Sequence, residues 1–132
     1  MDCVFCKIAS KEITSRVIFE TENSLAFLDA FPLSIGHTLV IPKLHYKKIQ
    51  DMPSEINTDL FLAVQKVTKK IDMITGSTLL AIHNGEDSGQ EIPHVHVHII
   101  PRYADKGTVW TKRGIPSDSE LKKLSEKIKN SF

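Results

Sequence analysis

From Pro53 to Thr75 apolar residues recur at steps of three and four, through Ile56, Leu60, Ala63, Val64, Val67, Ile71 and Ile74, while Lys66, Lys69 and Lys70 lie elsewhere around the cylinder. That period predicts one long amphipathic helix, and the rest of the chain offers strands for it to back. Arg16-Val-Ile-Phe-Glu20 and Ser24-Leu-Ala-Phe-Leu28, divided by the polar Thr21-Glu-Asn23, read as a β-hairpin. Gly36 to Ile41 gives a third strand ended by Pro42, Ser77 to His83 a fourth, and His94 to Ile100 a fifth stopped by Pro101. The expected fold class is α+β, a five-stranded antiparallel sheet with a main amphipathic helix and short terminal helices. The terminal helices are placed at Val4 to Lys11 and at about 116–132, the second with Leu121, Leu124 and Ile128 on one side. Asp51 or Ser54 is positioned to cap the main helix, and Gly76 to end it in a left-handed residue.

A chain of 132 residues fits a single domain, 1–132, able to bury roughly two-thirds of its unfolded surface. With 17 basic and 16 acidic side chains the formal charge is +1, which argues against a nucleic-acid polymer as partner and leaves small anions open. No apolar run approaches membrane-spanning length, and Met-Asp-Cys-Val-Phe-Cys-Lys lacks the basic and apolar segments of a secretory signal, so a soluble, cytoplasmic protein is expected. Cys3 and Cys6, the only two cysteines, stand too close together for a disulfide between them to close a useful loop.

The segment His94-Val-His-Val-His-Ile-Ile100 alternates strictly. On a strand His94, His96 and His98 would share one face, with Val95, Val97 and Ile99 behind them, at roughly 6–7 Å between neighbours and about 13 Å between the outer pair. Three readings follow from the residues. The face is simply histidine-rich, solvated or packed; or two histidines at i and i+2 converge on a catalytic metal, although no His-Glu-x-x-His motif or carboxylate pair completes such a site. In the third, imidazoles that titrate near neutrality attack phosphorus and shuttle protons on an anionic substrate.

This segment, Phe27-Leu-Asp-Ala-Phe-Pro-Leu-Ser-Ile-Gly-His37-Thr-Leu-Val-Ile-Pro-Lys43, the Asn84-Gly turn, Gly89-Gln90 and Pro101-Arg102 together resemble the histidine-triad superfamily. The resemblance covers nearly the whole chain and is strongest to the Hint-like branch, with its bacterial-type members. It implies that His96 attacks the α-phosphorus of a nucleotide and forms a nucleotidyl-histidine that water hydrolyses, without a catalytic cofactor. It implies phosphate contacts from His98 and His37, and from Asp29 a carboxylate for the ribose hydroxyls. Asn84 and Gln90 match phosphate-side polar contacts, while Gly85 and Gly89 let the backbone approach. Ile8, Phe19, Ile18 and Leu28 are the candidates for an apolar purine pocket. Without the resemblance His37 reads as a strand-end histidine and Asp29 as a turn residue before Pro32.

Two positions depart from the family pattern. Glu91 stands where several members carry a serine or threonine that touches the scissile phosphate, and Pro93 replaces a bulky residue. A carboxylate at 91 either alters the leaving-group preference or faces solvent.

Cys3-x-x-Cys6 has metal-ligand spacing, and His45 follows the third strand. Some superfamily members, including the galactose-1-phosphate uridylyltransferase branch, hold a structural zinc with such a pair, a histidine after this strand and the first triad histidine. Here those residues are Cys3, Cys6, His45 and His94. Free thiols and a redox pair are the other readings of the cysteines, and His83 reads as a packed strand histidine. The function implied is hydrolysis of a nucleoside 5′-phosphoramidate or related nucleotidyl conjugate, releasing a nucleoside monophosphate, AMP above others. Dinucleoside polyphosphate cleavage, transfer to an acceptor other than water, and a purine-nucleotide-binding interaction module with incidental turnover are the alternatives. The partners implied are a purine nucleotide and a second copy in a two-fold homodimer that extends the sheet.

Overall fold

The computed structural model describes residues 2–103 and 115–132. Its elements are α1 (Val4–Ala9), β1 (Val17–Glu20), β2 (Ser24–Leu28), β3 (Thr38–Pro42), α2 (Ser54–Thr75), β4 (Thr78–Ala81), β5 (Val97–Pro101) and α3 (Asp118–Lys129), with short 3-10 turns at Ile49–Asp51 and Glu86–Ser88. The fold is α+β. All strand pairs are antiparallel, in the order β1-β2-β3-β5-β4. Among the described residues no helix is long and apolar enough to cross a membrane.

Strand alternation sorts the sheet into two faces. Ala26, Val40, Val97 and Ile99 point to one side, where Ile56, Leu60, Ala63, Val64, Val67 and Ile71 of α2 close over them. The helix stripe read from the sequence is therefore buried from Ile56 to Ile71, while Ile74, also expected on it, is exposed near the end of α2, beyond the sheet's cover. Phe27, Leu39 and Ile41 point to the other side and pack with Cys3, Phe5 and Ile8 of the α1 segment. The β1–β2 hairpin is tied to α2 by Asp59, whose carboxylate accepts from the Thr21 and Ser24 hydroxyls at 2.6 Å each.

Gly76 ends α2 in the left-handed region with φ 93. Its start differs from expectation. Pro53 occupies the cap position with no side-chain bond, and Asp51 lies in the preceding turn, accepting from the Lys48 amide at 3.1 Å. The first helix stops at Ala9, because Lys11 turns to φ 68. The fifth strand is shorter than the alternation predicted and begins at Val97, because the β3–β5 ladder runs only from Thr38↔Ile99 to Val40↔Val97. His94 and His96 precede it in a segment whose Val95 amide donates instead to the Tyr46 carbonyl at 2.8 Å. In α3, Leu121, Leu124 and Ile128 lie at helical spacing and are exposed.

Candidate functional site

The valines do what alternation requires of them. Val95 and Val97 are buried against α2, so the imidazoles of His94, His96 and His98 are left on the opposite face. Chain direction changes at His94, and the three histidines divide into two groups.

His94 is fully buried and turns toward α1. Its Nε2 donates to the Pro42 carbonyl at 2.8 Å, which leaves Nδ1 with its lone pair. That nitrogen lies 3.4 Å from Cys3 Sγ and 3.6 Å from Cys6 Sγ, and His45 Nδ1 lies 3.4 Å from Cys6 Sγ. All four ligand atoms fall within 4.8 Å of one another. A tetrahedral zinc with Zn–S about 2.3 Å and Zn–N about 2.0 Å would need S···N separations of roughly 3.5 Å. Burial, with Cys3 beside it, pushes the Cys6 thiol above its usual range. Burial likewise pushes His94 down to about 4, keeping the imidazole neutral as a ligand must be.

His96 faces the other way in role. Its Nδ1 donates to the His94 carbonyl at 2.7 Å, so the lone pair sits on Nε2. Phe5 packs edge-on against its ring, centroids 5.0 Å apart, and also against His94 at 5.8 Å. Burial lowers the His96 pKa below its ordinary value. A neutral, oriented imidazole with a free ring nitrogen can act as a nucleophile.

His37, at the entry to β3, and His98, on β5, come together because Leu39 pairs with His98. The Leu33 amide donates to His37 Nδ1 at 3.0 Å, which fixes the proton of neutral His37 on Nε2. That Nε2 donates to His98 Nδ1 at 2.9 Å, which in turn fixes the His98 proton on its own Nε2. Burial, then the neighbouring His96, His37 and His83, push His98 down to about 4, and burial lowers His37 as well. Asp29 Oδ2 stands 3.6 Å from His37 Nε2, and its Oδ1 accepts from the Phe31 amide at 2.9 Å, so it is both a turn residue and a fixed carboxylate. Asp29, His37 and His98 also gather three potential metal-binding atoms. The proton on His37 Nε2 occupies the space an ion would need, so this group is a hydrogen-bond chain.

The remaining sequence candidates fall differently. Asn84 is engaged within the protein, its Oδ1 accepting from the Ile49 amide at 2.9 Å and its Nδ2 donating to Gln50 Oε1 at 3.0 Å. Gln90 Oε1 accepts from the Gly85 amide at 2.7 Å, and its Nε2 donates to the Lys47 and Ile92 carbonyls. Both side chains brace the 84–90 turn. Gly89, at φ 96, has His83 directly against it. Glu91 is exposed and lines an open cleft with Lys47, Lys48, Glu86 and Asp87. Ile8 lies on the histidine side of the sheet and Phe19 packs toward α2, so the structure does not bring those two together. Ile18 is exposed and Leu28 half-buried at the end of β2, next to Asp29. Sequence reasoning missed Phe5, which packs against His96, and Phe27, which stacks edge to face on Phe5 at 5.8 Å, and it left His83 without a role. The signal for Phe5 was its place between the two cysteines.

A model of the HIT domain matches residues 10–105 of the chain. An uncharacterized HIT-like protein of Methanocaldococcus jannaschii is 39% identical over 128 residues, 96% of this chain and 98% of that protein. The adenosine 5′-monophosphoramidase of Schizosaccharomyces pombe is 41% identical over 131 residues, covering 97% and 96% respectively. The crystal structure of a HIT-family member from Bacillus subtilis superposes with a TM-score of 0.90 at 35% identity, over 100% of this chain and 98% of that one.

Proposed function

The chain belongs to the HIT domain family, and on that premise we propose that it is a nucleotide hydrolase that cleaves the α-phosphate bond of nucleoside 5′-phosphoramidates and releases a nucleoside monophosphate, AMP above others. The observation that carries this reading is the His96 Nδ1–His94 carbonyl bond, which leaves Nε2 unprotonated and aimed away from the backbone. Nε2 attacks the α-phosphorus, and the bond to the leaving nitrogen breaks. Water then displaces the nucleotidyl group from His96. Covalent catalysis divides one difficult displacement into two easier ones. His98 Nε2–H, held in that tautomer by the chain from Leu33 through His37, donates to a phosphoryl oxygen as charge develops there. Asp29 accepts from the ribose hydroxyls. Phe5, Ile8 and Phe27, buried together on the histidine side, would back a purine there, whereas Phe19 packs toward α2.

Cys3, Cys6, His45 and His94 would hold a structural zinc, its part being to pin α1, and with it Phe5, to the sheet. The reduced thiols it needs suit a cytoplasmic setting. No chemical step requires a metal. A second copy pairing along the β4 edge, where Leu80 is exposed, would extend the sheet into a two-fold dimer. Steady-state release of AMP from adenosine 5′-phosphoramidate tests the proposal: turnover by the wild type with a loss of at least about a hundredfold in His96→Ala supports it. Equal activity in the two proteins overturns the nucleophile, and binding of AMP without turnover favours the interaction-module reading.

A further inference from the structure

Five of the six histidines have a place in the metal cluster or the phosphate site, and His83 does not. It follows β4 two residues beyond Ala81, which pairs with His98, so the period of the strand carries it to the histidine face. Its ring lies 5.6 Å from that of His98, tilted by 43°. Because β5 runs between β3 and β4, His37 and His83 flank His98 from opposite sides. The nucleoside is assigned to the Asp29 and His37 flank, which leaves the His83 flank to the departing group.

The turn around His83 is built to admit its ring. A Cβ on Gly89 would lie 3.1 Å from His83 Nδ1 and 3.3 Å from Cε1, and Gly89 holds φ 96, where other residues are strained. Asn84 and Gln90, the other polar side chains of this turn with amide groups, are spent on bracing it. His83 itself is exposed. Packing of the Nδ1 side against Gly89 leaves Nε2 to meet a ligand.

Cleavage of a P–N bond needs a proton, because an amine cannot depart as its anion. His96 is the nucleophile and carries its one proton on Nδ1, against a carbonyl. His98 is neutral and donates to the phosphoryl oxygen. A separate acid is required. We propose that His83 is that acid, donating its Nε2 proton to the leaving nitrogen of the substrate, an inference that rests on the phosphoramidate reading above. In the first step the His96 Nε2–phosphorus bond forms, the phosphorus–nitrogen bond breaks, and the departing nitrogen keeps the electron pair and takes the proton from His83. In the second step neutral His83 takes a proton from the attacking water, the phosphorus–Nε2 bond breaks with its electrons returning to His96, and the acid is restored.

The test uses the full-length protein and two adenosine 5′-phosphoryl compounds, one with an alkylamine leaving group and one with p-nitrophenolate, which departs without a proton. Single-turnover formation of the His96 adduct is measured at pH 7 for the wild type and His83→Asn. The expected result is a fall of about a hundredfold or more for the amine compound and a much smaller one for the nitrophenyl ester, so that the ratio of the two rates shifts at least tenfold. Added imidazole is expected to restore the amine reaction in His83→Gly. Rates that fall together in His83→Asn, or that do not change, with a wild type that does form the adduct, overturn the His83 assignment alone. A wild type that forms no adduct from either compound overturns the proposed function, and this inference with it.

Discussion

The carbonyl of His94 accepts from His96 Nδ1 at 2.7 Å, while the side chain of the same His94 turns its free nitrogen to Cys3 and Cys6. One residue therefore joins the cysteine–histidine cluster to His96, and Phe5, between the two cysteines, joins them a second time.

Removing the metal is expected to act on stability first. An ion held at a thousand times its dissociation constant stabilises by about 4 kcal/mol, which in a chain of this size is roughly 15 °C in Tm. Metal analysis of the purified protein should give one zinc per chain. Chelation should lower Tm by that amount while the rate at 20 °C falls by less than about tenfold. A rate loss as large as that of His96→Ala at unchanged Tm would make the metal catalytic.

His37→Asn breaks the chain that fixes the His98 tautomer without touching the nucleophile. Misplacing a transition-state donor costs about a hundredfold. The loss should fall on kcat, with KM for the nucleotide changing little. A change confined to KM would assign His37 to ground-state binding instead.

The pH dependence of stability has a definite sign. His98 is pushed down to about 4 in the fold, so the unfolded chain takes up its proton first, near pH 6.5. Its contribution is fully present above about 6.5 and is lost as pH falls toward 4. Tm of the wild type should therefore drop over that interval more steeply than Tm of His98→Asn. Parallel curves would show that the imidazole is not held neutral.

Asp29→Asn removes the charge that would strengthen bonds from the ribose hydroxyls, a loss of about 1.5–3 kcal/mol. KM should rise roughly tenfold to a hundredfold with adenosine 5′-phosphoramidate and stay nearly constant with its 2′,3′-dideoxy analogue. An equal rise for both would place the carboxylate elsewhere than at the ribose.

Much of this was legible in the chain because it depends on period and spacing. The α2 stripe from Ile56 to Ile71 and the valines between the histidines each announce a buried face, and the side chains of Cys3, Cys6, His45 and His94 lie together. What the sequence could not convey is set by contacts distant along the chain. The β5 ladder stops at Val97 although β3 runs on to Pro42, because the Val95 amide turns to the Tyr46 carbonyl, which splits the triad that alternation would align. Asn84 and Gln90 look like ligand contacts until Ile49, Gln50, Gly85 and Lys47 are brought beside them. Phe19 and Ile8 are both apolar, and only the register of β1 against β2 shows that Phe19 faces α2. His83 reads as strand packing because nothing local reveals that Gly89 makes room for its ring.

The central claim is that His96 Nε2 becomes covalently nucleotidylated. It is tested most directly by quenching the wild type and His96→Ala in acid-free denaturant within the first turnover of adenosine 5′-phosphoramidate, then measuring intact mass and mapping the adduct by peptide. The expected result is one adenylyl group per chain, carried by the peptide containing His96 and absent from the variant. An adduct that persists in His96→Ala, or AMP release by a wild type that never carries one, would contradict the account.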